Sequence, residues 1–290
     1  KRRIFMLTIS NNPTRKGLSV FRPNVIYSTA SGVELTMDML IPQRADTDPS
    51  RNPVIVFIQG SAWHFPDTTY EIPQLARFSA AGYTVATVRH RNIDDGYPAP
   101  AFLQDVKTAI RFLRAHADQF QIDDKQIYSF GTSSGGNTSL LLGLTGDDSR
   151  FKTSEYAEYS DSVCAVIDCF GPTDLTAMMP QDPALLDPET SNMINAFCGG
   201  TYNPKILQLV SPIFYVEKGK NYVPFLIAHG NADPLVPFSQ SEQMVKRLEE
   251  CGADVSFICV DHAEHEGSFW SLPLLDLFIE FFNRQSKLHL

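Results

Sequence analysis

A serine enclosed by glycines is the residue whose setting most directly indicates chemistry. Ser133 is the centre of Gly131-Thr132-Ser133-Ser134-Gly135, which follows a strand-like run and opens an apolar, helix-like stretch. A chain that turns from strand to helix within a few residues strains its central residue and leaves room only for glycine two positions away. Such a turn presents the hydroxyl at a helix N-terminus, which favours a developing negative charge. The pentad therefore predicts Ser133 as a nucleophile.

A glycine-rich turn that caps a helix around a phosphate is the alternative for this pentad. Phosphate-binding loops carry Gly-x-x-x-x-Gly-Lys or Gly-x-Gly-x-x-Gly. Neither pattern can be read at residues 131–136. The nucleophile is the stronger interpretation.

An acid and a base follow two later strand-like runs. Asp233 comes shortly after the apolar run 225–228, and His265 comes shortly after the run 255–260. Serine, then acid, then histidine is the chain order of one type of triad. A serine hydroxyl is a weak nucleophile, so a neutral imidazole must take its proton while a carboxylate fixes the tautomer and stabilises the imidazolium. The sequence predicts Asp233 and His265 in these two roles.

Both residues also have alternative interpretations. Asp before Pro is a common loop element, which would make Asp233 a turn residue. His262 lies beside the end of the strand-like run, where a histidine often only makes a local hydrogen bond, so His265 is favoured as the base and His262 is the second candidate. The acids and histidines of 261–266 could suggest a metal cluster, but the His-Glu-x-x-His pattern is missing. We expect neither a metal nor another cofactor.

The loop after the run 54–58 predicts hydrogen-bond donors. It reads Gln59-Gly60-Ser61-Ala62-Trp63, and small residues let backbone N–H groups approach a substrate oxygen. An oxyanion hole in this setting takes one donor from such a loop and one from the residue after the nucleophile. We expect the N–H groups of Ser61 or Ala62 to act with that of Ser134. The alternative is a tight turn that is small because its packing is close.

Short apolar runs alternate with helix-like segments along the chain, which is typical of an α/β fold with a parallel sheet covered on both faces. The predicted strands are 33–40, which alternates like a half-exposed strand, and 54–58, 84–88, 127–130, 164–168, 225–228 and 255–260. Helical periodicity covers 101–120, 239–251 and 272–283. Ligands bind at the carboxyl ends of strands in such sheets, and the candidate residues follow strand ends.

The segment 176–222 predicts a cap of short helices. It is rich in Pro, Asn and Asp, and it is too long for a plain connection. We expect Met178 and Met179 of this cap to contact the substrate, with Trp63 and Trp270 at the sides. The alternative is that these side chains only seal the cap onto the sheet. Residues 1–290 are otherwise expected to form a single domain.

Composition excludes some partners. The chain of 290 residues has a net charge of -9, which disfavours nucleic acid, and no apolar run is long enough to span a bilayer. Its five cysteines have no metal-ligand spacing and favour reduced thiols in a cytoplasmic protein. Lys1-Arg2-Arg3 imitates the start of an export signal, but polar residues from Ser10 cut the apolar run short. The sequence leaves open whether a leader has been removed, and it does not indicate the oligomeric state.

Several motifs occur together in one order from about Val25 to the C-terminus. They are Phe57-Ile58-Gln59-Gly60-Ser61-Ala62-Trp63, Gly131-Thr132-Ser133-Ser134-Gly135-Gly136, Phe170-Gly171-Pro172-Thr173-Asp174-Leu175, Ser211-Pro212-Ile213, His229-Gly230-x-x-Asp233-x-x-Val236-Pro237 and His265. The set resembles α/β-hydrolase carboxylesterases, in particular the bacterial acetyl- and feruloyl-esterase-like branch, which is related to the hormone-sensitive-lipase type and to prolyl-oligopeptidase catalytic domains.

The resemblance implies an α/β-hydrolase fold with Ser133 as nucleophile, Asp233 as acid, His265 as base and the Ser61/Ala62 loop as oxyanion donor. One departure is visible, because the family usually has His-Gly-Gly where this chain has Gln59-Gly60-Ser61. The support of the loop is therefore expected to differ. Since the donors are backbone groups, we expect the hole to be retained.

The sequence thus predicts a serine carboxylester hydrolase that forms an acyl-enzyme on small soluble esters, such as acetyl or aromatic acyl esters, including those of carbohydrates. A small serine peptidase or amidase is the alternative enzyme, since the same triad cleaves amides. The sequence encodes no propeller or other gating domain, which weakens that alternative. A third interpretation is a hydrolase fold that binds without catalysis, although a binding module has no need of all three triad residues.

Overall fold

One mixed sheet organises the computed structural model, which describes residues 6–179 and 186–286. Lys1-Arg2-Arg3 and residues 180–185 of the predicted cap lie outside the described residues. The strands are β1 (Ser19–Ser28), β2 (Leu35–Pro42), β3 (Asn52–Ile58), β4 (Thr84–Val88), β5 (Ile122–Thr132), β6 (Val166–Cys169), β7 (Phe225–Gly230) and β8 (Val255–Val260). Their order is β1-β2-β4-β3-β5-β6-β7-β8.

The sheet is parallel except around β2. β2 pairs antiparallel with both β1 and β4, and every later neighbouring pair from β4 through β8 is parallel. The predicted mostly parallel sheet is therefore confirmed. Parallel neighbours require crossover connections, and the helices supply them.

From β3 onward, one or more α-helices of the described residues follow each strand. They are α1 (Ile72–Ala80), α2 (Ala101–Ala115), α3 (Ala117–Phe120), α4 (Ser134–Leu144), α5 (Leu175–Met178), α6 (Pro188–Phe197), α7 (Pro204–Leu209), α8 (Ser239–Glu250) and α9 (Leu272–Gln285). None of the helices in the described part of the chain is long and apolar enough to cross a membrane.

Helices cover both faces of the sheet, as the alternation of β3 shows. Val54, Val56 and Ile58 belong to the hydrophobic cluster that includes α2, α4 and α8. Ile55 and Phe57 belong to the other cluster, which includes α1 and α9. Because successive side chains of a strand point to opposite faces, the two clusters lie on opposite sides of the sheet. Burial on both faces explains why β3 reads as a continuous apolar run.

Three details differ from the sequence predictions. β2 is buried rather than half-exposed: Asp38 is 3% exposed and accepts hydrogen bonds from the Asn24 N–H and the Thr68 hydroxyl. The sequence does not predict β1, because most of its side chains are exposed and a bulge interrupts its register. The single helix predicted over 101–120 is two helices, since the backbone at His116 leaves the helical region.

The cap segment 176–222 contains α6, α7 and all but the first residue of α5 among its described residues. Asp174, Asp187 and Asn203 cap these helices: each aspartate accepts two backbone N–H groups of the first turn, and Asn203 accepts one. Asp187 and Asn203 of the segment thus have a structural role, because short helices need such partners for their free N–H groups.

Candidate active site

The turn at Ser133 has the strained geometry that the pentad predicts. Ser133 has φ 51 and ψ -122, a backbone conformation that residues other than glycine rarely adopt. A Cβ on Gly131 would collide with the Gly135 backbone, and a Cβ on Gly135 would collide with the carbonyl of Ile58. Both glycines are therefore required by close backbone approach. The Ser133 N–H donates to the Cys169 carbonyl at 2.9 Å, which fastens the turn to the end of β6.

Asp233 and His265 meet where β7 and β8 end. Asp233 Oδ2 lies 2.7 Å from His265 Nδ1, while Oδ1 accepts the N–H groups of Leu235 at 2.8 Å and Val236 at 3.0 Å. Burial raises the pKa of Asp233, but the hydrogen bonds from His229, from His265 and from the backbone outweigh it and hold the pKa well below its usual range. Asp233 is therefore ionised at neutral pH, and it orients the His265 ring.

His229 is a second imidazole on the same carboxylate, and sequence reasoning assigns it no role. Its Nε2 lies 3.1 Å from Asp233 Oδ2 and 3.1 Å from the Val236 carbonyl, and its Nδ1 lies 2.7 Å from Ser241 Oγ. Since both neighbours of Nε2 are acceptors, Nε2 is the protonated nitrogen. The only signal in the sequence is its place in the motif, four residues before Asp233.

The two candidate histidines have different surroundings. His265 is 11% exposed in its side chain and packs on Phe170 with ring centroids 4.5 Å apart. The His262 side chain is 90% exposed, and its only charged neighbour among the described residues is Asp261 at 3.5 Å. The structure thus brings His265, and not His262, to Asp233. In the described structure no direct hydrogen bond joins the Ser133 hydroxyl to His265.

The loop after β3 lies directly against the Ser133 turn. A Cβ on Gly60 would lie 2.7 Å from the Cβ of Ser133, and the Gly60 N–H donates to Thr132 Oγ1 at 2.8 Å. The Ser61 N–H donates to Ser134 Oγ at 2.9 Å, so this predicted oxyanion donor is already used. Within the described residues, the N–H groups of Ala62 and Ser134 donate to no protein acceptor.

Side chains of the loop itself support its conformation. Gln59 Oε1 accepts the N–H of Asp67 at 2.6 Å, which closes the loop on itself. The Ser61 hydroxyl donates to the His64 carbonyl at 2.8 Å. Ala62 at φ 48 and Trp63 at φ 60 both occupy the left-handed region. Side-chain hydrogen bonds thus stabilise a conformation for which glycine would be better suited.

The residues predicted to bind substrate occupy different environments. Trp63 is 5% exposed and packs on Phe197 of α6 with ring centroids 4.6 Å apart. Met179 is 7% exposed, whereas Met178 is half-buried. These positions favour the alternative for Trp63 and Met179, in which they seal the cap onto the sheet. Trp270 is half-buried, and its indole N–H donates to Glu266 Oε2 at 2.6 Å.

Two features near the loop are not indicated by the sequence. A cleft of about 390 Å³ lies between the loop and α6, lined by His64, Ile93, Asp94, Glu189, Thr190, Asn192, Met193 and Ala196. Buried Glu71 and half-buried Glu266 form an acidic pair. No group of three or more His, Cys, Asp or Glu side chains that could hold a metal occurs within residues 6–179 and 186–286.

Comparisons with known proteins agree with this architecture. The chain is 31% identical to the esterase LipC of Mycobacterium tuberculosis over 237 residues, which are 81% of this chain and 56% of LipC. It spans about half the length of the curated relatives it matches. A truncated carbohydrate esterase from gut microbiota superposes with a TM-score of 0.78 at 26% identity, over 95% of this chain and 99% of that one.

Another solved structure shares the fold of this chain. The esterase Est2 of the Planctomycetes species Thermogutta terrifontis superposes with a TM-score of 0.74 at 23% identity, over 90% of this chain and 93% of that one. The predicted α/β-hydrolase fold is confirmed by these superpositions. The profile of the BD-FAE family matches residues 37–248, well over half of the chain, and the protein therefore belongs to the BD-FAE family.

Proposed function

We propose that this protein is a serine carboxylester hydrolase that forms an acyl-enzyme on Ser133. The observation that carries the proposal is the hydrogen bond of 2.7 Å between Asp233 and His265, formed at the same edge of the sheet as the strained turn of Ser133. The similarity to the esterase LipC supports the reaction class.

The residues supply each step of the reaction. His265 takes the Ser133 hydroxyl proton as Oγ attacks the ester carbonyl, and Asp233 stabilises the imidazolium. The N–H groups of Ala62 and Ser134 stabilise the negative charge on the carbonyl oxygen. His265 then gives its proton to the leaving alcohol. Water attacks the acyl-enzyme with His265 as the base again, which releases the acid and restores Ser133.

The preferred substrates are small soluble esters, including acetyl or aromatic acyl esters of carbohydrates. The cleft of about 390 Å³ beside the loop has a mainly apolar lining that includes two acids, Asp94 and Glu189. Hydroxyl groups of an alcohol can donate to such acceptors, whereas anionic leaving groups would be repelled. The structural similarity to a carbohydrate esterase supports this substrate class.

A substrate panel tests the proposal. Rates are measured for p-nitrophenyl acetate, butyrate and palmitate, an acetylated xylo-oligosaccharide and a peptide p-nitroanilide. We expect kcat/KM to be highest for short-chain esters or sugar esters. Ser133→Ala should lower the activity at least about 10³-fold, whereas the control Ser256→Ala, at an exposed serine on β8, should keep it. A kcat/KM that rises toward palmitate, or that is higher for the anilide, would overturn the substrate assignment.

A further inference from the structure

Glu266 is an acidic residue directly after His265 that the proposed mechanism does not use. Its backbone lies in the left-handed region at φ 64, which is uncommon for a residue with a side chain. Its Oε2 accepts the Trp270 indole N–H at 2.6 Å, and the Thr132 hydroxyl faces the same carboxyl. Because Thr132 precedes Ser133, the carboxyl connects the segment of His265 with the segment of the nucleophile.

Glu71, just before α1, is a second acid, and its carboxyl interacts electrostatically with that of Glu266. It is 3% exposed, and its Oε1 has no hydrogen-bond partner among the described residues. Burial, and then the charge of Glu266, raise the pKa of Glu71 to about 8. Burial also raises the pKa of Glu266, but the hydrogen bond from Trp270 and the charge of His265 oppose the increase. Glu71 therefore keeps its proton at neutral pH. The hydrogen bond from Trp270 favours the ionised form of Glu266, whereas Oε1 of Glu71 receives no such bond among the described residues.

Several titratable groups surround this pair. They are His265 on the same loop, Asp233 after β7, Asp67 beside Glu71, and Cys169 at the end of β6. Burial raises the pKa of the Cys169 thiol well above its usual value, so this group is neutral. The charges next to His265 are therefore those of Asp233 and Glu266.

We propose that Glu266 is a positioning residue of this active site: its carboxylate holds Trp270 and Thr132 in place and sets a second negative charge next to His265. The inference rests on the proposed esterase function. When His265 takes the Ser133 proton, the imidazolium forms near two carboxylates, which favours the charged form. Thr132 Oγ1 accepts the Gly60 N–H, so the hydroxyl proton of Thr132 remains available to Glu266 and the connection extends to the oxyanion loop.

Glu266→Gln tests the charge, with Glu264→Gln as the matched control because Glu264 is an exposed acid on the same loop. With p-nitrophenyl acetate we expect Glu266→Gln to lower kcat about ten- to hundredfold and to change KM by less than about threefold. The acidic limb of the kcat/KM profile should move to lower pH, because a charge that favours the imidazolium is gone. A purely structural role would lower the active fraction without moving that limb.

Thr132 gives a second test that does not depend on the folding of the Glu266 variant. Thr132→Val removes the hydroxyl and should lower kcat, while Thr132→Ser, which keeps the hydroxyl, should restore most of it. Circular dichroism verifies that each variant is folded.

The possible outcomes separate this inference from the proposed function. If wild-type protein hydrolyses esters while Glu266→Gln matches Glu264→Gln in kcat and pH profile, the inference is wrong and the esterase function stands. The inference is also wrong if Thr132→Val is as active as Thr132→Ser. If wild-type protein hydrolyses no ester and reacts with no fluorophosphonate, the proposed function itself fails.

Discussion

The hydroxyl of Ser134 accepts the backbone N–H of Ser61 at 2.9 Å. The residue that follows the candidate nucleophile therefore fixes the loop that faces it. Two of the three predicted oxyanion donors, Ala62 and Ser134, remain available within the described residues. The side chain of Ser134 thus determines which backbone groups of the loop can contact a substrate.

Removing this contact should affect both stability and activity. Ser134→Ala removes the acceptor of the half-buried Ser61 N–H, which costs about 0.5–1.5 kcal/mol, and the loosened loop should lower kcat by about tenfold. Urea unfolding and p-nitrophenyl acetate kinetics measure the two effects. Ser139→Ala is the control, because Ser139 is a buried serine of the same helix whose hydroxyl bonds Ser129 instead. Equal kcat values in the two variants would contradict a role of Ser134 in the loop.

The two histidines of the last loop should differ strongly in their effect on turnover. His265→Ala removes the imidazole that Asp233 orients at 2.7 Å, and it should be nearly as damaging as Ser133→Ala. His262→Ala changes an exposed side chain and should keep most of the activity. Steady-state kinetics on p-nitrophenyl acetate compare the variants. The reverse ranking would transfer the role of base to His262.

Glu71 should make folding stability depend on pH. Because burial and Glu266 raise its pKa from 4.5 to about 8, the folded state binds the proton more tightly than the unfolded state. The stability that this proton contributes is fully present below pH 4.5 and is lost as the pH rises through about 8.

Glu71→Gln should therefore gain little stability relative to wild type near pH 4.5 and the most above pH 8, on the order of 5 kcal/mol. Thermal unfolding at pH 5, 7 and 9 measures this trend. The exposed Glu249→Gln on α8 is the control and should show no such trend. A gain that is independent of pH would contradict the buried proton.

Ala62 should be a site where glycine stabilises the fold. Its φ of 48 costs a side chain about 1 kcal/mol that glycine does not incur. Ala62→Gly should therefore raise the midpoint of urea unfolding. Ala76→Gly, at an exposed position in the middle of α1, should lower it, because glycine costs about 1 kcal/mol in a helix interior. A loss of stability in both variants would mean that Ala62 is not strained.

The sequence predicts the parts of the site that lie where the backbone admits only glycine, and the residues that follow the ends of strands. Gly131 and Gly135 can be identified from the sequence because a Cβ at either position would collide with neighbouring backbone atoms. Asp233 and His265 are readable because parallel strands bring the residues after them to one edge.

Other features depend on contacts between distant segments, so no local pattern indicates them. The side chain of Ser134 captures the N–H of Ser61, seventy-three positions away. Trp63 is buried against Phe197 of the cap, which its position beside the loop does not reveal. Glu71 and Glu266 look like ordinary surface acids in the sequence, and only the folded chain brings them together away from solvent.

Labelling with a fluorophosphonate, followed by peptide mapping by mass spectrometry, tests the role of Ser133 most directly. An activated serine reacts with this probe, whereas an ordinary hydroxyl does not. We expect one adduct per chain, located on Ser133, with ester hydrolysis lost in proportion to labelling and no adduct in Ser133→Ala. An adduct on another serine, or full ester hydrolysis by Ser133→Ala, would contradict the proposed acyl-enzyme mechanism.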